Sequence, residues 1–287
     1  MTMSLRLSAA GWHVAGRSVE FLWVTVALLA VSGALVSVSG NRELRRRWLT
    51  WVFIAPTLGL PLWFGRGTTT VLAVVLAVVA VHEFAGLVRL PRIDAGMLYV
   101  LAIGYPAAAW FAPPVLALAP LLAIGCALPA ILAGDASGGF RRACLTAFGS
   151  LWLCWSLAHL VIVWHEAFLL CLATAVADVA AWCGGKGLRR YAWARRPLSR
   201  LSPSKTLGGL VGGLVGAAVV LAAFGEHRIG VVAVVGVGAV AGDLLESMVK
   251  REAGVKDAGD WLPGFGGLLD RVDSLLVVLP LAAVVLR

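Results

Sequence analysis

Ten long apolar runs, separated by short stretches that hold most of the charge, leave this chain little choice of fold. They lie at 21–38, 48–64, 70–81, 96–111, 115–133, 143–164, 167–183, 207–224, 229–249 and 275–286. A helix needs roughly 20 predominantly apolar residues to cross a bilayer. In lipid, every backbone N–H and C=O must find a partner within the helix or a closed barrel. No short alternating segments recur here, so helices do the spanning. With 60% hydrophobic and 14% charged residues among 287, against about 25% charged in soluble domains, the chain is expected to be an all-α, polytopic integral membrane protein of about nine to ten transmembrane helices. The runs at 70–81 and 275–286 are short for a full crossing.

The loop charges give that arrangement a direction. If odd-numbered helices run inward, the inner loops hold four cations at 40–48, two at 84–95, two at 134–142, seven at 184–206 and four at 250–273. Only Arg6, Arg17, Arg66, Arg228 and Arg287 remain outside. Such an excess predicts both termini outside and the two most charged loops in the cytoplasm. The expected location is therefore the bacterial cytoplasmic (inner) membrane. The cations at 42–47 follow the first run instead of preceding it, so a retained helix is expected there and not a cleaved signal peptide. A net charge of +9 raises the question of nucleic acid. Confinement of the cations to short loops between spans points instead to topology and anionic membrane lipid, and no nucleic-acid partner is expected. The five cysteines sit singly in apolar runs with no CxxC or His-partnered spacing, so neither a disulfide framework nor a zinc site is indicated.

Chemistry concentrates between Asp243 and Asp273. Asp243, Glu246 or Ser247, and Lys250 recur every three to four residues and share one helical face. Asp270 and Asp273 repeat the spacing, and Ser274 adds a hydroxyl. Asp243 follows a long apolar and glycine stretch, where a solvated surface carboxylate is out of place. Glu252 and Asp260 suit a solvated loop. A group of carboxylates without histidine offers hard oxygen ligands, suited to Mg²⁺ carrying phosphates and leaving room for a second metal ion. Asp178 near the end of the seventh run is a further intramembrane carboxylate, followed by Trp182 and by Gly184, Gly185 and Gly187 around Lys186. That GGKG lacks the spacing of a phosphate-binding P-loop, and a helix end with an interfacial lysine explains it equally well. At 201–206, Ser204 or Thr206 is placed to cap a helix with Lys205 beside its first turn, a seat for an anion. Gly208, Gly212 and Gly216 then form a smooth stripe, read as close helix packing. Gly264, Gly266 and Gly267 allow close backbone approach to a ligand or a tight re-entrant turn. His82 and Glu83 end the third run at the inner face, where a structural or interfacial role is expected. His159, His165, Glu166, Glu226 and His227 receive no role.

The run from Ser247 to Asp273 closely resembles the signature of the phosphatidate cytidylyltransferase (CDP-diacylglycerol synthase) family. Ser247, Lys250, Arg251, Lys256, Asp257, Pro263, Gly264, Gly266, Gly267, Asp270, Arg271 and Asp273 stand in register. The resemblance extends to HEFAGL at 82–87, to Asp178 with Ala181 and Trp182, and to LSPSKT at 201–206. Phe265 stands where the family has histidine, and Gly208 where it has glutamate.

The resemblance implies a membrane helix at 1–41 outside the match. It further implies a cytidylyltransferase membrane domain at 42–287, with its catalytic half at about 170–287. It implies a CTP-dependent nucleotidyltransferase that converts phosphatidate or a related lipid phosphate to CDP-diacylglycerol and pyrophosphate for phospholipid biosynthesis, at an active site on the cytoplasmic interface. Asp243, Asp270, Lys250 and Arg271 are the expected catalytic residues, and Asp243, Asp270, Asp273 and Asp178 the expected metal ligands. Lys205, Ser204, Arg251, Lys256, Gly264, Gly266 and Gly267 are expected to hold nucleotide and lipid phosphate. A paralogue acting on another lipid phosphate, a catalytically reduced lipid-binding protein and a transporter are the alternatives, and a homodimer is compatible with the sequence.

Overall fold

The computed structural model describes residues 42–256, 258–259 and 266–286, together with scattered positions between 26 and 37. The first apolar run thus falls largely outside the described residues, as do Asp257, Asp260, Pro263, Gly264 and Phe265. Among the described residues the fold is all-helical, with no strand beyond an isolated bridge between Pro197 and Thr206.

Among the described residues from Arg42 on, nine helical segments follow one another: α1 (Arg42–Trp63), α2 (Arg66–Leu87), α3 (Arg92–Phe111), a broken α4 (Pro113–Leu132), α5 (Gly139–Ile162), α6 (Ala167–Gly187), α7 (Leu207–Ala223), α8 (Ile229–Glu252) and α9 (Leu269–Val285). Six of them, α2 to α6 and α8, are long and apolar enough to cross a membrane. Val71, Val100, Ile124, Val219 and Val284 point outward and are each more than half exposed. Such a girdle suits lipid, not water. The helices alternate in direction, so the ends of α2, α6 and α8 and the starts of α3, α5, α7 and α9 meet at one end of the bundle.

The two runs that are short for a crossing, 70–81 and 275–286, belong to longer helices. Helix α2 begins at Arg66 because Thr69 and Thr70 return their hydroxyls to the carbonyls of Gly65 and Arg66, each at 2.9 Å, and hide them within the helix. Helix α9 begins at Leu269 and so includes Asp270, Arg271 and Asp273, whose charges interrupt the apolar pattern. In the middle of α5 the backbone widens into a π-helical turn, Ser150–Trp155. There Trp152 joins Phe84 and Phe148 in an aromatic cluster with centroids 5.1–6.2 Å apart. That cluster fixes the end of α2 against α5.

An ion pair ties α5 to its neighbours at the same end of the bundle. Arg142 reaches the buried Asp94 of α3 at 2.8 Å and Asp135 of the preceding loop at 2.9 Å. The Gly138 N–H, then Arg142, hold the Asp135 carboxyl below its usual range.

Glycine sets the remaining geometry. Helices α6 and α7 pack along their lengths, and a side chain at Gly212 or Gly216 would enter Ala180 of α6. At Gly184 a Cβ would come 2.7 Å from the Gly208 carbonyl oxygen. The stripe at 208, 212 and 216 is therefore a packing surface, as its spacing predicts. Helix α8 meets α9 in the same way: Gly242 rests against the backbone of Asp273 and Ser274, and Gly238 against Val278.

Gly212→Val should lower stability by about 1–3 kcal/mol through overpacking, read as a lower thermal midpoint in detergent. Val215→Leu, on the lipid-facing side of the same helix, should leave the midpoint unchanged.

Candidate active site

Four helix ends and one loop place charged side chains at the same end of the bundle. The loop between α6 and α7 is pinned to the start of α7 by its own backbone. The Leu198 N–H donates to the Lys205 carbonyl at 2.8 Å, Lys205 N–H to Ser202 at 3.0 Å and Leu207 N–H to Arg196 at 3.0 Å. Thr206 is the residue that caps α7, its hydroxyl accepting from the Gly209 N–H at 3.2 Å. Lys205 is thereby held at the helix mouth, where its Nζ meets Asp243 Oδ1 of α8 at 3.1 Å. The other oxygen, Asp243 Oδ2, is buried and receives no hydrogen bond.

Asp178 of α6 and Asp273 of α9 lie near enough to Asp243 and Lys205 to interact with both electrostatically. Ser274 Oγ lies 3.5 Å from Asp178 Oδ2 and donates to the Ala239 carbonyl at 3.2 Å. Three carboxylates from three helices thus lie within electrostatic reach of one lysine. The close crossing at Gly242 is what brings Asp243 and Asp273 together.

A second group lies beside the first. Lys250 Nζ bridges Glu246 Oε2 at 2.7 Å and Asp270 Oδ1 at 2.6 Å, joining α8 to α9. Glu246 is 1% exposed, and its Oε1 has no partner. Asp270 Oδ2 accepts the N–H groups of Ala258 at 3.0 Å and Gly267 at 2.8 Å. Both oxygens of this expected metal ligand are therefore engaged by the protein, and Asp270 clamps the loop that precedes α9.

Glu83, from the end of α2, grips the same turn from the other side. Its two oxygens accept the N–H groups of Leu268 at 2.7 Å and Leu269 at 2.6 Å. These donors at the start of α9 have no intrahelical acceptor, and a carboxylate is the strongest partner available to them. Neighbouring His82 lies with Nδ1 3.0 Å from the Tyr99 hydroxyl. A Cβ on Gly267 would come within 2.5 Å of Glu83 Oε1, and one on Gly266, at φ +78°, within 2.6 Å of Asp270 Oδ2. In this structure both glycines make room for the protein's own carboxylates.

Other expected site residues lie at the rim. Ser204 is exposed with Oγ 3.3 Å from that of Ser202, Arg251 donates to the Val255 carbonyl at 3.1 Å, and Lys256 is exposed. Arg271 is exposed on the first turn of α9. Gly264 is not among the described residues.

The family model described as "Cytidylyltransferase family" matches residues 45–287. The chain belongs to the cytidylyltransferase family. A similar protein is the Escherichia coli K12 "Uncharacterized protein YnbB", 30% identical over 171 residues, which are 52% of this chain and 55% of that one. "Phosphatidate cytidylyltransferase 5, chloroplastic" of Arabidopsis thaliana is 44% identical over 110 residues, 35% of this chain and 26% of its own. The "Phosphatidate cytidylyltransferase" of Haemophilus influenzae is 37% identical over 134 residues, 41% and 45% of the two chains. The chain spans about half the length or less of these curated relatives.

Gly208, the position expected to depart from the family's pattern, is packed. Its N–H donates to the Ala194 carbonyl at 3.0 Å, and a Cβ would meet the Ala194 side chain at 2.9 Å. Glutamate does not fit there as the loop stands.

Lys250 bears on stability as well as on the site. Replacing it with methionine leaves Glu246 and Asp270 as uncompensated buried charge and should cost about 3–5 kcal/mol, measured by chemical unfolding in detergent. Adding Glu246→Gln should recover part of that loss.

Proposed function

We propose that the chain transfers CMP from CTP to a membrane lipid phosphate, with phosphatidate as acceptor, giving CDP-diacylglycerol and pyrophosphate. The observation that carries this reading is Asp243. It is a partly buried carboxylate with one oxygen on Lys205 and the other without a hydrogen bond, facing Asp178 and Asp273 at the charged end of an apolar bundle. Family membership supports it, as do relatives named for phosphatidate and cytidylyl transfer.

In the reaction, an oxygen of the lipid phosphate forms a bond to the α-phosphorus of CTP. The bond from that phosphorus to the bridging oxygen of the β-phosphate breaks, and pyrophosphate leaves with the electron pair. The nucleophile is already an anion, so no strong general base is needed. The demand is to bring two polyanions together and stabilise charge on the leaving group. Lys205 stands at the mouth of α7, where the helix N-terminus adds to its attraction for phosphate. Ser204, Arg251, Lys256 and Arg271 stand at the rim to receive the triphosphate and the lipid headgroup. Lys250 holds α8 and α9 in register behind them.

Mg²⁺ fits this donor set. The oxygens are hard, no histidine or cysteine stands among them, and Asp243 Oδ2 lacks a protein donor. Among the described residues no three His, Cys, Asp or Glu side chains gather tightly enough to hold a metal ion. An ion held there by one or two carboxylates would have to take its other ligands from water and phosphate. Asp243 with Asp273 or Asp178 would hold it, and Asp270 completes the set if Lys250 yields an oxygen. The chemistry such an ion would supply is neutralisation of charge on the phosphates.

The same reading sets the protein in a bacterial cytoplasmic membrane with about nine to ten spans and the site facing the cytoplasm. Dissolved CTP and a headgroup from the leaflet can both reach that face.

The test is pyrophosphate release by the purified full chain in lipid vesicles, from CTP and phosphatidate with and without Mg²⁺. Metal-dependent release is expected, and Asp243→Asn should reduce it by about 10²-fold or more. A panel of other lipid phosphates tests the acceptor; release with one of these but never with phosphatidate would overturn that choice. Phe265→His measured alongside shows what the departure there does to rate.

A further inference from the structure

We infer that Glu83, from the far half of the chain, is a positioning residue that sets the start of α9 and with it the carboxylates of Asp270 and Asp273. The inference rests on the cytidylyl-transfer reading for its catalytic consequence, although its structural part stands alone.

Leu268 and Leu269 are separated from Glu83 by 185 and 186 residues, yet their N–H groups are bound by its two oxygens at 2.7 and 2.6 Å. A carboxylate meeting two free N–H groups at a helix N-terminus is a strong, directional contact. The side chain is buried at 8% exposure, and its neighbour Phe84 is fully buried within the aromatic cluster of α2 and α5. Glu83 is therefore anchored in a rigid part of the bundle and not on a loop.

The turn it binds leads straight into the site. Gly267 lies against the Glu83 carboxylate on one side and donates its N–H to Asp270 on the other. Asp270 follows the second bound amide by one residue, and Asp273 lies one helical turn on. A shift at Leu268 and Leu269 thus moves both carboxylates together, along with the Lys250 bridge to α8. Misplacement by about 1 Å is enough to cost 10²-fold in rate. The helix and its capping contact supply the placement; Glu83 itself touches no substrate.

Three variants in the full chain test this. Glu83→Gln keeps the size but offers one acceptor oxygen, and Glu83→Ala offers none. Turnover of CTP and phosphatidate should fall in the order wild type, Gln, Ala, by about 10²-fold at Ala, with the KM for phosphatidate unchanged. The thermal midpoint of Glu83→Gln should fall by only a few degrees, since one N–H keeps its acceptor. Amide hydrogen exchange, measured without nucleotide or metal, should quicken at least about tenfold at both Leu268 and Leu269 in Glu83→Ala, and at only one of the two in Glu83→Gln, which keeps one acceptor. Gly267→Ala should reduce turnover alone and add nothing in the Glu83→Ala background, because the carboxylate it collides with is gone.

Unchanged exchange in Glu83→Ala would overturn the contact. Faster exchange with wild-type turnover would overturn the positioning role. If the wild-type chain turned over no lipid phosphate, the cytidylyl-transfer reading would fail, and exchange alone would decide the hold of Glu83 on α9.

Discussion

The start of α9 is gripped by two carboxylates, and the charged end of this bundle depends on that grip. Four N–H groups at a helix N-terminus lack intrahelical acceptors, and in an apolar protein they cannot simply be left to water. Glu83 takes two of the N–H groups in this turn, and Asp270 takes that of Gly267. The helix can therefore begin close to the apolar core, with Asp273 buried one turn in. Lys250 then offsets the charge of Asp270 and Glu246, and α8 is locked to α9.

Close glycine contacts give the same region its compactness. Gly242 lets α8 lie on the backbone of α9, which sets Asp243 beside Asp273. The stripe on α7 lets α6 approach until Asp178 joins them. The site is thus assembled from helices with few intervening side chains, and its carboxylates hold their relation because backbones, not rotamers, define the spacing.

Much of this was legible in the sequence. The apolar runs correspond to helices throughout the described residues, and helical spacing put Asp243, Glu246 and Lys250 on one face, where Lys250 does meet Glu246. The pairing of Lys205 with Asp243 was not legible, since it depends on how the loop folds back through Arg196, Leu198 and Ser202. The grip of Glu83 was hidden for a similar reason. A structural or interfacial role was legible for a glutamate ending an apolar run, but nothing local reveals that a second helix starts against it. Apolar counting also cut α9 short, because it cannot know that Asp270, Arg271 and Asp273 are acceptable within a helix whose neighbours compensate them.

The contact between Gly208 and Ala194 limits what this position can accept. The space beside Gly208 is filled by the loop between α6 and α7, whose Ala194 carbonyl takes the Gly208 N–H. A side chain introduced at 208 alone would meet occupied space. Positions 194 and 208 are thus coupled, and a larger residue at 208 can enter only if the loop moves first.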